Sequence, residues 1–415
     1  MAAIRRSIVF LWFLIGTISQ LQAMVYDDRY FPEYSWASWR TCQKPSHFIP
    51  DIFIMTAHDA ALDNDDSIGI PEIFGIYDLN KLANAITILT GNNPLAGGQF
   101  AGLIGRNIIY NMKGKLEAQG AALEYHQRLT DNVSFGFNFF AMHVFSRINF
   151  ELADGNFLGL TPDQVPALDA LRRSMQQSVG LQAPKFSKGG FSDIDLYVRF
   201  GNLWEYKRKF KRIDAGVRAG LLIPTGLTRE INNPASVPFG GNGHWGVYGA
   251  LDLEIEVKED WKAGIYARGS KRFEKKKFDR LPLADEQPLF AAFVGKANID
   301  PGLNLVVAPY VRVEDISDGL GIQAKYTYVN HFEDTIADGR FGLKIPSVEL
   351  TKYNEYTQWS SEYLTLNLFY DFARVRVSKS FAPILSFMCD FPIQFFGVER
   401  VSKTFRVSMG IVFGF

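Results

Sequence analysis

Cysteine is scarce in this chain: Cys42 and Cys389 are the only two. A disulfide-stapled scaffold is thereby excluded, and no Cys/His spacing suits a structural metal. An oxidising compartment would allow the two thiols to pair; two separate thiols fit the sequence as well. Long apolar runs are also missing. After residue 23 no stretch of 18 apolar residues occurs, which excludes a bundle of membrane helices. Net charge is absent too, with 44 Lys and Arg against 44 Asp and Glu. Without an overall basic field, nucleic acid is not an expected partner. The six histidines, His47, His58, His126, His143, His244 and His331, stand singly. They lack the nucleophile, base and orienter that hydrolysis requires. Neither an enzyme nor a cofactor is expected, and His58-Asp59 reads as a structural pair near a rim.

Phenylalanine, by contrast, is abundant at 35 residues, and much of it recurs with period two. That period marks a strand with one apolar face. Residues 1–23 read as a signal peptide, with Arg5 and Arg6 before the apolar run Ile8 to Ile18 and a cleavage site at Leu21-Gln22-Ala23. The run is short for a membrane anchor, which takes about 20 apolar residues. Residues 24–48, with Trp36 and Trp39, form an N-terminal arm, and 49–415 form one barrel domain.

Twelve strands are expected in the barrel. The first lies near 49–57, the second near 112–129 and the third from Val133. In the third, Val133, Phe135, Phe137 and Phe139 face one way and Ser134, Gly136 and Asn138 the other. In strand four, Ile194, Leu196, Val198 and Phe200 alternate with Asp193, Asp195, Tyr197 and Arg199. In strand five, Ile213, Ala215, Val217 and Ala219 alternate with Arg212, Asp214 and Arg218, and in strand six Leu251, Leu253 and Ile255 alternate with Asp252, Glu254 and Glu256. Strand seven runs 261–268, eight 303–313 and nine 320–328, the ninth with Lys325 on its polar side. Strand ten carries Leu364, Leu366 and Leu368 outward. Strand eleven is expected at 374–377, with Arg374 and Arg376 inward. Short turns follow strands two, four, six, eight and ten. Long insertions follow one, three, seven and nine, with helices around 73–89 and 165–181.

The final strand runs Phe405-Arg406-Val407-Ser408-Met409-Gly410-Ile411-Val412-Phe413-Gly414-Phe415. It resembles the C-terminal strand of Gram-negative outer-membrane β-barrels. The resemblance implies that Met409, Ile411, Phe413 and Phe415 are read by the barrel-assembly machinery. It also implies a bacterial cell outer-membrane location, with outer-membrane lipid and lipopolysaccharide as partners. A second resemblance covers about 80 residues. Ser192-Asp193-Ile194-Asp195-Leu196 and Leu222-Ile223-Pro224-Thr225-Gly226 are similar to the "G-D-x-x-L" and "L-P-T-G" strands of the outer-membrane transporters associated with phenol-degradation pathways, with Ser192 in place of Gly. That implies a barrel and a transport role.

A basic residue on a lipid-facing row would cost about 2–4 kcal/mol at the midplane, so the charged rows are expected inside. Asp193, Asp195, Arg199, Arg212, Asp214, Arg218, Asp252, Glu254, Glu256, Lys325, Arg374, Arg376 and Arg406 are the expected pore-lining residues. The acids of strands four and six would face the arginines of strands eleven and twelve, setting a field across the pore. The alternative is local pairing. A porin-like channel for small hydrophilic solutes is the leading expectation. A plugged structural or adhesive barrel is the alternative, and a transporter of hydrophobic solutes ranks lower because the inward rows look polar. A monomer is expected. Trp204, Tyr206, Trp261, Phe369, Tyr370 and Phe372 suit an aromatic girdle. The basic run Lys271, Arg272, Lys275, Lys276 and Lys277 suits an extracellular loop that meets lipopolysaccharide phosphate or only solvent.

Overall fold

The computed structural model describes residues 44–62, 67–153, 158–205, 210–342, 344–375 and 382–415. Its frame is a closed antiparallel barrel of twelve strands, each paired with its neighbours in the chain. They are β1 (Ser46–Ala57), β2 (Ile109–Arg128), β3 (Val133–Leu152), β4 (Ile194–Glu205), β5 (Arg212–Ile223) and β6 (Gly246–Lys258). They continue as β7 (Trp261–Arg272), β8 (Leu303–Ser317), β9 (Leu320–His331), β10 (Trp359–Asp371), β11 (Ile384–Pro392) and β12 (Phe405–Gly414). The ring closes where β1 pairs with both β2 and β12, with His47 opposite Gly414 and Thr56 opposite Phe405. Beyond that register, Ser46 and Phe415 exchange two backbone hydrogen bonds of 3.1 and 3.0 Å.

Alternation along each strand is inverted relative to a water-soluble protein. On β6, Leu251 is 59% exposed while its neighbour Asp252 is 9% exposed. Val247 is also outside, and Tyr248, Glu254 and Glu256 are buried inside. Among the described residues no helix is long and apolar enough to cross a membrane. The exposed apolar rows and buried charged rows suit a barrel that spans the bilayer, with its backbone groups paired strand to strand around the ring.

The connections sort to two ends. Short links join β2 to β3, β6 to β7 and β8 to β9 on the side of the two termini. The long segments lie at the other end, and they include 224–245 after β5 and 393–404 after β11. Short turns are periplasmic and long loops extracellular in such barrels. β1 starts at Ser46, so the last residues of the expected arm belong to the wall. Strand eleven also moves. It lies at Ile384–Pro392, where Leu385 and Phe387 face outward and Asp390 inward. Residues 372–375 make a turn instead, because Arg374 is drawn 2.6 Å from both Asp260 and Glu314 at the rim. Arg376, Tyr206, Cys42, Trp36 and Trp39 lie outside the described residues. Cys389 is on the lipid-facing row of β11, opposite Leu366 and Val407.

β2 and β3 are 20 residues each, roughly twice what a barrel strand needs to cross the membrane. Their upper halves carry a cap. Helix α1 (Leu79–Thr90) starts where Asp78 accepts the Asn80 N–H at 2.9 Å and stops at Gly91, whose φ of 76° suits glycine. Leu79 and Leu82 of α1 pack with Leu168 and Met175 of α2 (Gln164–Ser178) and with Leu289 and Phe290 in one apolar core. The first helix begins later than the sequence pattern suggests, at Leu79, and the second begins one residue earlier, at Gln164.

Replacing Leu251 with arginine should remove about 2–4 kcal/mol of stability in lipid vesicles, measured by urea unfolding, because the charge meets hydrocarbon. Unchanged stability would mean that this face does not contact lipid.

Candidate functional site in the barrel lumen

The inner wall has two chemistries. From β4 to β8 it is a ladder of buried ion pairs. Arg199 places Nη2 3.0 Å from Asp214 and Nε 3.0 Å from Asp252. Arg218 reaches the other Asp252 oxygen at 3.2 Å. Asp195 accepts from Arg268 at 3.1 Å and from the Tyr248 hydroxyl at 2.7 Å, and the Arg268 guanidinium lies 3.7 Å from the Tyr248 ring centre. Tyr310 donates to Glu254 at 2.7 Å, and Lys262 and Arg312 share Glu314. Glycine makes room for this layer: a Cβ on Gly216 would sit 2.6 Å from the Arg199 guanidinium carbon.

In the upper part of β1 to β3 the same wall is apolar, whereas nearer the termini it carries buried Asp51, Glu124, His126 and Asn138. Phe53, Met55 and Ala57 of β1, Leu116, Ala118 and Ala122 of β2, and Phe140, Met142 and Val144 of β3 form one buried cluster. Phe239 joins them from the segment 224–245, its ring 6.4 Å from that of Phe140. After Ile223 the chain thus leaves the wall and lies as a strap inside the barrel.

The strap is held by the two short motifs noted in the sequence, which the fold brings into contact. The wall breaks between the short strand Lys185–Phe191 and β4, and both pair with β3. At the break the Ser192 hydroxyl accepts the Phe140 N–H at 2.9 Å, and Thr225 donates to the Ser192 carbonyl at 2.8 Å. Asp193 turns inward and accepts the N–H of Gly226 at 2.9 Å and of Gly241 at 2.6 Å. Arg272 donates to the same carboxylate at 2.6 Å. One buried side chain therefore ties both ends of the strap to the wall.

Between strap and cap is a cavity of about 350 Å³. Ile70, Pro71, Ile73, Phe74, Val237, Pro238 and Leu289 give it apolar walls, and Arg229, Lys277, Asp279, His331 and Asp334 give it a polar side. Tyr353 donates to Asp279 at 3.2 Å, and Arg229 lies 3.8 Å from it. Burial pushes the Lys277 ammonium down to about 8, with Arg229 and Lys275 adding to the fall and Asp279 and Asp334 opposing it.

The expected field across the pore is replaced by local pairing. Asp193, Asp195, Arg199, Asp214, Arg218, Asp252 and Glu254 face inward as expected, but the aspartates are met by arginines one to three strands away, and Glu254 by Tyr310. Arg212 lies 3.5 Å from Glu256. Arg406 pairs with Asp390 at 2.8 Å rather than facing β4. Lys325 is half-buried on the inner face of β9. Arg374 sits at the periplasmic rim. Met409, Ile411, Phe413 and Phe415 share the outer face of β12. The basic run is no free loop: Arg272 enters the lumen, Lys271 binds Asp300 at 2.9 Å, and Lys275–Leu281 is a strand paired with Phe293–Asp300. Trp204 and Trp261 face outward, whereas Phe369 is inside under Arg312, 4.1 Å from its ring centre. The apolar half of the lumen was missed, although its signal was present. The inward row Ser134, Gly136, Asn138 continues as Phe140, Met142 and Val144.

A closed ring with lipid outside and charges inside decides the class. The chain is an outer-membrane β-barrel. No family model matches the sequence, and neither does any curated protein. Among solved structures, an outer membrane channel from Pseudomonas putida F1 is similar over 92% of this chain and 100% of its own, with 10% identity and a TM-score of 0.48. A Pseudomonas aeruginosa FadL homologue aligns over 95% and 100%, at 9% identity and 0.36. The Ralstonia pickettii toluene transporter TbuX aligns over 91% and 92%, at 12% and 0.36.

Asp252→Ala would take a buried carboxylate from both Arg199, which keeps Asp214, and Arg218. Loss of one partner of a buried pair costs about 3–5 kcal/mol, and equilibrium unfolding of the refolded barrel should show a loss of that size.

Proposed function

We propose that this protein is an outer-membrane channel for small hydrophobic or amphipathic solutes. The observation that supports the reading is the apolar patch on the upper half of β1 to β3, which runs up to the half-apolar cavity beneath the cap. A pore for hydrophilic solutes would lose most of its wetted lining along that wall. In the other half, the charges are already engaged with one another, so they stiffen the barrel more than they present a free polar track. A solute would enter under the cap and rest against Ile73, Phe74 and Val237. It would then pass the strap along Met142 and Phe53. The polar side of the cavity would meet an acidic or hydroxyl group on an amphipathic solute.

Two measurements test this. In proteoliposomes, uptake of an uncharged aromatic fluorophore should exceed that of a sugar, and Met142→Glu should slow it about tenfold, since a carboxylate in the apolar wall loses solvation without gaining a partner. Equal uptake of both solutes, with no effect of Met142→Glu, would favour a hydrophilic pore. The second is a pH titration of binding. Below pH 8 Lys277 is charged and attracts a carboxylate-bearing aromatic; as pH rises through about 8 that charge is lost. Benzoate should therefore bind more weakly at pH 9 than at pH 7, while benzene should be unaffected. Lys277→Met should abolish the difference.

A further inference from the structure

The strap lies between two places that a solute would occupy. Pro234, Ala235, Ser236, Val237 and Pro238 line the cavity beneath the cap. On the other side Phe239 is fully buried in the apolar cluster with Phe53, Phe140 and Met142, and Leu227 and Val237 pack against that cluster. A solute in the cavity therefore meets the strap before it meets the apolar patch.

The hold of the strap on the wall is concentrated at one corner. Its two limbs run side by side: the Leu227 N–H donates to the Phe191 carbonyl and the Phe239 N–H to the Leu227 carbonyl, both at 3.2 Å. Asp193 takes the N–H of Gly226 on the first limb and of Gly241 on the second. It is 4% exposed, so its charge needs compensation. Arg272 supplies it at 2.6 Å, and the same nitrogen donates to the His244 carbonyl at 2.9 Å, where the second limb rejoins β6. The corner has no room for a larger residue. Gly240 has a φ of 88°, and a Cβ there would sit 2.5 Å from an Asp193 oxygen.

Arg272 also belongs to the cavity, whose lining it shares with Arg229 and Lys277. An anionic group resting there is offered the cation that compensates Asp193. A carboxylate that takes Arg272 leaves Asp193 buried without its ion pair, and loss of one member of a buried pair is strongly destabilising. The Asp193 side chain then turns toward water, and its hold on Gly226 and Gly241 goes with it.

We propose that the strap is a gate between the cavity and the apolar patch, latched by Asp193 and released by an anionic solute that competes for Arg272. Phe239 is the stopper. Residues 231–233 are the fixed point about which the limbs bow: Arg280 donates to the Ile231 carbonyl at 2.7 Å and to the Asn232 side chain at 2.9 Å, and Asn233 donates to the Lys185 carbonyl at 2.9 Å. An uncharged aromatic passes at the rate at which the strap opens unaided, whereas an amphipathic acid opens it for itself. The inference rests on the reading of the lumen as a path for such solutes and adds the regulation of that path.

The test is a cross-link across the seam between strap and wall. An ideal Cβ on Gly190 lies 3.4 Å from the Leu227 Cβ, close to the ~3.8 Å usual for a disulfide. In the full-length protein carrying Cys42→Ser and Cys389→Ser, the pair Gly190→Cys and Leu227→Cys should oxidise rapidly while the strap is latched. Sodium benzoate should slow that oxidation about tenfold relative to sodium chloride at the same ionic strength, and benzene should not. Asp193→Asn should slow it to the same extent with no solute present. If that variant does not give a heat-modifiable closed barrel, Arg272→Gln serves in its place. Once formed, the disulfide should stop uptake of the uncharged aromatic fluorophore into proteoliposomes, and reduction should restore it. An oxidation rate indifferent to benzoate, or to the loss of Asp193 or Arg272, would overturn the proposal. So would a cross-linked barrel that takes up the fluorophore as fast as its reduced form. The oxidation rate is read in detergent without transport, so it reports on the latch by itself. A reduced barrel that takes up sugar and fluorophore equally counts against the solute path and leaves the latch to be decided by that rate.

Discussion

Closure of the ring is the constraint from which the rest follows. In hydrocarbon an unpaired N–H or carbonyl costs several kcal/mol, so the first and last strands must find each other. β1 and β12 do so along their length, down to the exchange between Ser46 and Phe415. Once closed, a sheet with a two-residue period has one face for lipid and one for the lumen, and each charged residue on a strand has its side chosen for it. The charges are then confined in a narrow space. Arginines and acids up to three strands apart meet within hydrogen-bonding distance, and glycines such as Gly216 leave the guanidinium groups room to lie flat.

Confinement also explains why the lumen is divided. The ladder from β4 to β8 is satisfied within itself, and a buried pair that is complete has little to gain from a passing solute. The apolar patch on the upper half of β1 to β3 is covered by the strap through Phe239. Asp193 links the two halves: it belongs to the charged wall, pairs with Arg272, and holds the strap that lies against the apolar one. A single carboxylate thereby couples the break in the wall, the position of the strap and the floor of the cavity.

β2 and β3, at 20 residues each, rise beyond the membrane, and their upper halves carry the cap.

Much of the frame was legible in the residues. Local alternation is a property of neighbouring positions, so the strands, their inward charges and the lipid-facing end at Phe413 and Phe415 could be read directly. The short motifs at 192–196 and 222–226 were visible as well. Strand eleven was misplaced because Arg374-Val375-Arg376-Val377 alternates as well as Leu385-Ser386-Phe387-Met388 does; only the presence of Asp260 and Glu314 at the rim takes Arg374 out of the wall. Which charge meets which depends on strand order and register around a closed ring, a long-range property that period two does not contain. The same is true of Asp193 reaching Gly226 and Gly241, and of Phe239 returning to Phe140. The sequence by itself determined that this chain is a barrel and which side chains look inward. The tertiary structure alone decided that those inward charges neutralise one another, because pairing across strands is set by closure.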